Sequence, residues 1–249
     1  MEDGLYRETR PPLELVAHVA CVWYRRIGAV ESARPVRILP DGCMDLMWGS
    51  RGGLLVAGPD RTAQVSRMAV GTTFVGLRFR PGAAPPLLGV PASELVDGRP
   101  EAAALWGRAA SELSARLGDA GMPGGVAALL QDAVRRRLAD APAPDPAVQH
   151  VAAAVRRRPS IRVDQLAEEL GLGERQLHRR CCAALGYGPK TFAGIVRFRR
   201  FLGLASGTDA RPLALAARLA GYADQPHLSR EVRRLAGLSP TELLAELAG

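Results

Sequence analysis

A helix-turn-helix pattern that occurs twice in the C-terminal part of the sequence constrains this chain more than anything else in it. In Leu213–Leu244 (LALAARLAGYADQPHLSREVRRLAGLSPTELL), Leu213, Ala216, Ala217 and Ala220 share one face at helical spacing. Gly221-Tyr222 breaks that helix, and Asp224 is placed to cap a second one through Leu228, Val232 and Leu235. Gly237 stops the second helix, and Ser239-Pro240 opens a third. Two short helices about a tight turn, the second carrying Gln225, His227, Ser229, Arg230, Arg233 and Arg234, form a unit able to enter a DNA groove.

The unit also occurs upstream, in Leu166–Phe192 (LAEELGLGERQLHRRCCAALGYGPKTF). Leu166 and Leu170 align with Leu215 and Leu219, Leu177 and Arg179 with Leu228 and Arg230, and Gly186 and Pro189 with Gly237 and Pro240. That alignment puts two extra residues in the second turn. Two copies are too few for a solenoid. Between them Thr191–Ala205 reads as one helix with Phe192, Ile195, Val196 and Leu202 on its apolar face, a stiff spacer between two readers.

A recognition helix presents its first two turns to base edges, where Arg pairs with guanine and Gln with adenine. The outward positions are Arg175, Gln176, His178 and Arg179 in the first copy, with Arg180 beside them, and Gln225, Pro226, His227, Ser229 and Arg230 in the second. Leu177, Cys181, Leu228 and Val232 point inward. Arg199, Arg200, Arg233 and Arg234 are placed to serve phosphates at most. Charge agrees with this reading. The net charge of +8 divides into +6 from Asp145 onward and +2 before it, and Lys190 is the one lysine among the basic residues.

The segment from Asp145 to Leu247 resembles the AraC/XylS family of bacterial transcription regulators, carried by AGYADQPHLSREVRRLAGLSPTEL. Val232 and Cys181 depart from it, standing where the family usually has an aromatic residue. The resemblance implies that Arg175, His178, Arg179, Gln225, Pro226 and Arg230 contact bases, and that double-stranded DNA and RNA polymerase are partners. The earlier pattern RILPDGCMDLMW…VAGPD…VGLRFRPGAAPPLLGVPASEL resembles an uncharacterised N-terminal domain joined to such readers. In better-known relatives an N-terminal β-rich domain binds a small effector or makes a homodimer, so both are expected partners here by resemblance, with Glu101–Leu138 the candidate dimer helices.

The expected fold is an α+β N-terminal domain (residues 1–140) joined to an all-α C-terminal domain (residues 145–249) with two helix-turn-helix units and a connecting helix. Its strands are Cys21–Tyr24, Val36–Leu39, Cys43–Trp48, Leu54–Ala57 and Thr72–Arg80. Pro40-Asp41-Gly42 makes a hairpin of the second and third. Helices follow at Ala84–Leu88, Ala92–Leu95, Glu101–Leu117 and Val126–Leu138, and Ala139–Pro146 is a proline-rich linker before a helix at Ala147–Arg158.

Other functions find little support. Asp41 and Asp45 read as a turn and a surface position, Asp60, His18 and two cysteines complete no catalytic pattern, and no enzyme is expected. The four cysteines form no CxxC pair, so neither a metal nor another cofactor is expected. No stretch reads as a signal peptide or membrane span, and the cytoplasm is the expected compartment. Two alternatives stay open: redox sensing by Cys21 and Cys43, and a module whose helix-turn-helices bind protein rather than DNA.

Overall fold

The computed structural model describes residues 4–207 and 209–248; residues 1–3 and 249, at the ends of the expected domain ranges, lie outside them. The N-terminal domain begins with β1 (Leu5–Thr9), β2 (Val19–Arg26) and α1 (Ala29–Ala33). β3 (Val36–Ile38), β4 (Asp45–Gly49), β5 (Gly53–Ala57), β6 (Gln64–Ser66) and β7 (Thr73–Phe79) follow. Helices α2 (Pro85–Leu88), α3 (Ala103–Trp106), α4 (Arg108–Asp119) and α5 (Pro123–Leu138) then close it. The C-terminal domain is all helix: α6 (Pro146–Arg157), α7 (Val163–Glu169), α8 (Glu174–Leu185), α9 (Pro189–Ala205), α10 (Leu213–Ala220), α11 (Gln225–Ala236) and α12 (Pro240–Ala248). The class is therefore α+β joined to all-α, with two helix-turn-helix units flanking a connecting helix.

Five strands form one antiparallel sheet in the order β1-β2-β7-β4-β5, and β3 with β6 form a separate two-stranded sheet. The period-2 alternation gives the large sheet two unlike faces. Val22, Leu77, Leu46 and Val56 lie side by side in register on one face, each buried, against Leu87, Leu117, Val126, Leu130 and Val134 of the helices. The other face carries Trp23, Met47, Arg78 and Asp45. Gly76, in the middle of β7, is needed there: a Cβ would sit 2.5 Å from the Trp23 indole, which lies across it.

The expected hairpin over Pro40-Asp41-Gly42 is not formed. β3 pairs with β6, Val36 opposite Ser66, while β4 pairs with β5 and β7. Burial decides this, because β4 sets Leu46 between Leu77 and Val56 in the core, whereas no residue of β3 is fully buried. The segment between them instead carries the chain from the small sheet to the large one. Gly42 (φ 79°) passes so close to Phe192 that a Cβ there would meet the ring at 2.9 Å. The helix expected over Glu101–Leu117 is two helices, broken at Gly107 (φ 57°).

In the C-terminal domain Val148, Val151, Ala152 and Val155 of α6 are buried as their spacing predicts. α9 is the centre of this core, with Phe192, Ile195, Phe198 and Phe201 fully enclosed, each contributing about 1.5–3 kcal/mol by area removed from water. Cys181 and Val232, where the family usually has aromatic residues, are fully buried too. The two copies align differently from the expectation. Leu166 and Ala167 are buried where Ala216 and Ala217 are, while Leu219 is 43 % exposed. The Leu172 N–H bonds the Ala167 carbonyl as the Tyr222 N–H bonds the Ala217 carbonyl. The second turn is therefore longer by one residue, Ala223, rather than two.

Candidate nucleic-acid interface

α8 is anchored by Leu177, Cys181 and Leu185, all buried, one helical turn apart. That leaves Arg175, Gln176, His178 and Arg179 exposed. The His178 ring lies against Gly188, where a Cβ would meet it at 2.5 Å, and its Nδ1 is 3.6 Å from Cys182 Sγ. Arg179 borders an open cleft formed with Pro85, Pro91 and Pro146. Arg180 is not free for bases: its Nε and Nη2 donate to Asp145 at 2.7 Å each. The same carboxylate caps α6 by accepting from the Ala147 N–H at 2.9 Å. Arg180 and the two cap N–H groups hold the Asp145 carboxyl below the usual carboxylate range against the opposing effect of burial.

α11 is built alike. Leu228, Val232, Leu235 and Ala236 are buried, and Asp224 caps the helix by accepting from the His227 N–H at 2.6 Å. Gln225, Pro226 and Arg230 are exposed, while His227 and Ser229 are half-buried. The His227 ring meets Tyr222 edge-on at 5.2 Å. Arg200, Arg233 and Arg234 are exposed on the outer surface. Arg199 is exposed as well and borders the N-terminal domain beside Asp41 and Arg78.

Sequence reasoning missed the largely enclosed ion pair that joins α11 to the connecting helix α9. Arg197 Nη2 lies 3.1 Å from Glu231 Oε1, the side chains being 14 % and 12 % exposed. Arg197 also donates to the Pro159 carbonyl at 3.0 Å. Gly194 admits Glu231 to this spot, since a Cβ there would stand 2.6 Å from its Oε1. The available signals were a glycine inside an apolar helix and a lone acid in a basic one.

The N-terminal domain grips both units. At α8 the C-cap Gly186 packs so closely on Pro59 that a Cβ would lie 2.5 Å away. At α11 the last carbonyls are capped from outside the helix: the Ala63 N–H bonds Leu235 O at 2.7 Å, and Arg37 Nη1 bonds Ala236 O at 2.8 Å. Arg37 Nε also pairs with Glu246 of α12 at 2.9 Å.

Between the polar face of the large sheet, the small sheet, Arg199 of α9 and the end of α12 lies a cavity of about 490 Å³. Asp41 and Asp45, expected in a turn and at the surface, converge here on Arg78 Nε at 3.1 and 3.3 Å, and Glu8 meets its Nη1 at 3.2 Å. Burial pushes the Asp45 carboxyl up to about 6, with Arg78 opposing. Burial also raises the thiols of Cys21, to about 11, and Cys43, which works against thiolate chemistry at either. Among the described residues no cluster of three or more His, Cys, Asp or Glu is arranged to hold a metal ion. Among them, too, no helix is long and apolar enough to cross a membrane.

Residues 7–101 match a Domain of unknown function (DUF6597), and residues 166–246 match a Helix-turn-helix domain. No curated protein matches the chain. Among solved structures the chain is similar to ToxT from Vibrio cholerae O395, with a TM-score of 0.48 and 11% identity over 87% of this chain and 95% of that one. It is also similar to an apo lysine-to-alanine variant of ToxT from Vibrio cholerae strain SCE256, with a TM-score of 0.49 and 10% identity over 98% of each chain. By its C-terminal match and the twin units described above, the chain carries a helix-turn-helix domain, joined to an N-terminal part that matches a domain of unknown function.

Proposed function

We propose that this protein reads two successive major-groove segments of one duplex with α8 and α11. Arg175, Gln176, His178 and Arg179 address one segment, and Gln225, Pro226, His227, Ser229 and Arg230 the other. The observation that carries this reading is the same in both helices. A buried apolar stripe fixes the helix to the core, and the opposite face offers Arg and Gln to solvent at the helix start. Arg179 and Arg230 are the strongest candidates for guanine, being exposed and long enough to reach base edges. The half-buried Ser229 and His227 contribute at closer range. Successive groove segments lie roughly 34 Å apart, and fitting both costs on the order of 1–6 kcal/mol of DNA bending.

In this reading the chain divides into a regulatory unit, residues 1–140, and a reading unit, residues 145–249. A small effector or a second copy of the chain acts through the first unit, RNA polymerase is the downstream partner, and the cytoplasm is the place of action. The test starts from duplexes selected out of a random pool. Binding weakens steeply with salt, by counterion release. Arg179→Ala and Arg230→Ala each cost about 1–3 kcal/mol and relax base preference at one position of one half-site. A flat salt response, or both variants binding as the parent does, favours a protein-binding module instead.

A further inference from the structure

We propose that the two reading helices carry equivalent braces, Arg180–Asp145 on α8 and Glu231–Arg197 on α11, which fix the roll of each helix and so aim Arg179 and Arg230. This rests on the reading of α8 and α11 as DNA readers and names the positioning residues behind them. The equivalence comes from the repeat. Leu177, Cys181, Leu185 and Gly186 match Leu228, Val232, Ala236 and Gly237 at a constant offset, so Arg180 and Glu231 hold the same place, directly after the reader arginine. Each closes a forked ion pair with the helix that precedes its unit. Arg180 donates from Nε and Nη2 to the two oxygens of Asp145, the cap of α6, at 2.7 Å each. Glu231 accepts from Nη2 and Nε of Arg197, on α9, at 3.1 and 3.3 Å. The polarity is reversed between the copies, so the sign of the charge is not what the two units share; a fork at that place is.

The apolar anchors leave such a fork something to do. α8 is held to the core by one line, Leu177, Cys181 and Leu185, with the small Cys181 at its middle. α11 has the matching line and Leu235 beside it. A narrow line fixes the axis of a helix better than its rotation about that axis. The next residue in sequence lies about 100° around the helix, so Arg180 and Glu231 stand on the flank, between the anchor line and the reader. A tie on the flank resists roll. A roll of roughly 20° carries a side-chain tip on a helix about 10–12 Å wide through about 2 Å, more than a hydrogen bond to a base edge tolerates. Asp145 is itself held by the Ala147 and Val148 N–H groups it caps. The rest of the cleft around Arg180 is proline, glycine, alanine and Val90, and Arg179 is the one other charge there among the described residues, so no second group can hold this guanidinium. On α11, Arg234 stands 3.6 Å from Glu231, yet it belongs to the same helix and cannot tie it to α9.

The experiment measures base discrimination by the full-length protein. Anisotropy compares the selected duplex with duplexes changed at the base pair that Arg179→Ala or Arg230→Ala identifies as read by that arginine. Asp145→Asn keeps the cap on α6 but takes the charge and one acceptor from the fork, and Arg180→Met keeps the stem without the guanidinium. Each lowers discrimination at the Arg179 base pair about fivefold and leaves that at the Arg230 base pair within about twofold. The two changes together lose no more than either alone. Glu231→Gln gives the reverse pattern. The salt slope stays that of the parent, because no phosphate contact is removed. Circular dichroism verifies that each variant is folded, and the Asp145 and Arg180 variants decide the matter if Glu231→Gln is not. Unchanged discrimination, or a loss shared equally by both half-sites, overturns the proposal. So does a slope lower by about 1 in Arg180→Met, the mark of a lost phosphate contact. Failure of the DNA reading itself shows in the parent, which then discriminates at neither base pair, whereas failure of the braces shows only in these variants.

Discussion

At the scale of single residues, the least ordinary group is Asp45. It sits on the sheet face away from the main core, next to Arg78 and near Asp41, and burial lifts its carboxyl to about 6. In the unfolded chain an aspartate titrates near 3.9. Between those values the folded protein holds a proton that the unfolded chain has released. The contribution of this residue to stability is therefore full below about pH 4 and is lost as pH rises through about 6. Carboxyls held low by their partners, such as Asp145, act in the opposite sense and at lower pH. Urea midpoints measured from pH 4.5 to 7 show the effect: Asp45→Asn flattens the decline across that window. An unchanged slope in the variant means that other groups produce it.

At the scale of elements, each reading helix was legible because several independent signals coincide in it. The cap Asp224, the stops Gly186 and Gly237, and the buried stripes fall where spacing and turn chemistry put them. The exposure of Arg175, Arg179, Gln225 and Arg230 follows from those stripes alone. The strand pairing was not legible. β3 and β6 are three residues each, paired across a long stretch of chain, and their partners are chosen by where Leu46 and Leu77 bury, which no local pattern records. Arg180 and Arg197 were hidden for a related reason: an arginine on a helix surface looks alike in sequence whether it meets solvent, Asp145 or Glu231. The Arg197–Glu231 pair locks α9 to α11, with the guanidinium also 5.8 Å above the Tyr222 ring. Arg197→Ala leaves Glu231, in a largely enclosed position, with Arg234 at 3.6 Å as its remaining ion-pair partner, and costs about 3 kcal/mol. Arg197→Met with Glu231→Leu restores most of that by packing. A denaturant series on the three variants tests it; a double variant as unstable as the single one shows that the charge pair is not what holds the helices.

At the scale of the whole molecule, the two C-cap glycines tell one story. Gly186 ends α8 against Pro59 and the Ala92 carbonyl, and Gly237 ends α11 beside Arg37. Each reading helix is thus held at its C-terminal end by the N-terminal domain, about 18 Å of helix away from its first turn. The spacing of the readers is set by α9 inside the reading domain and again by this outer frame. Arg37 has a further part, because it lines the cavity while it caps α11 and pairs with Glu246. Removing the tether shows what it is worth. Arg37→Ala weakens binding to a duplex with both half-sites about fivefold, near 1 kcal/mol, because α11 loses its outer hold and must be ordered on binding. Binding to a duplex holding only the half-site of α8 stays within twofold. Fluorescence anisotropy on the two duplexes separates the outcomes: equal losses on both mean that Arg37 supports the fold at large, and no loss on either means that α9 alone sets the reader spacing.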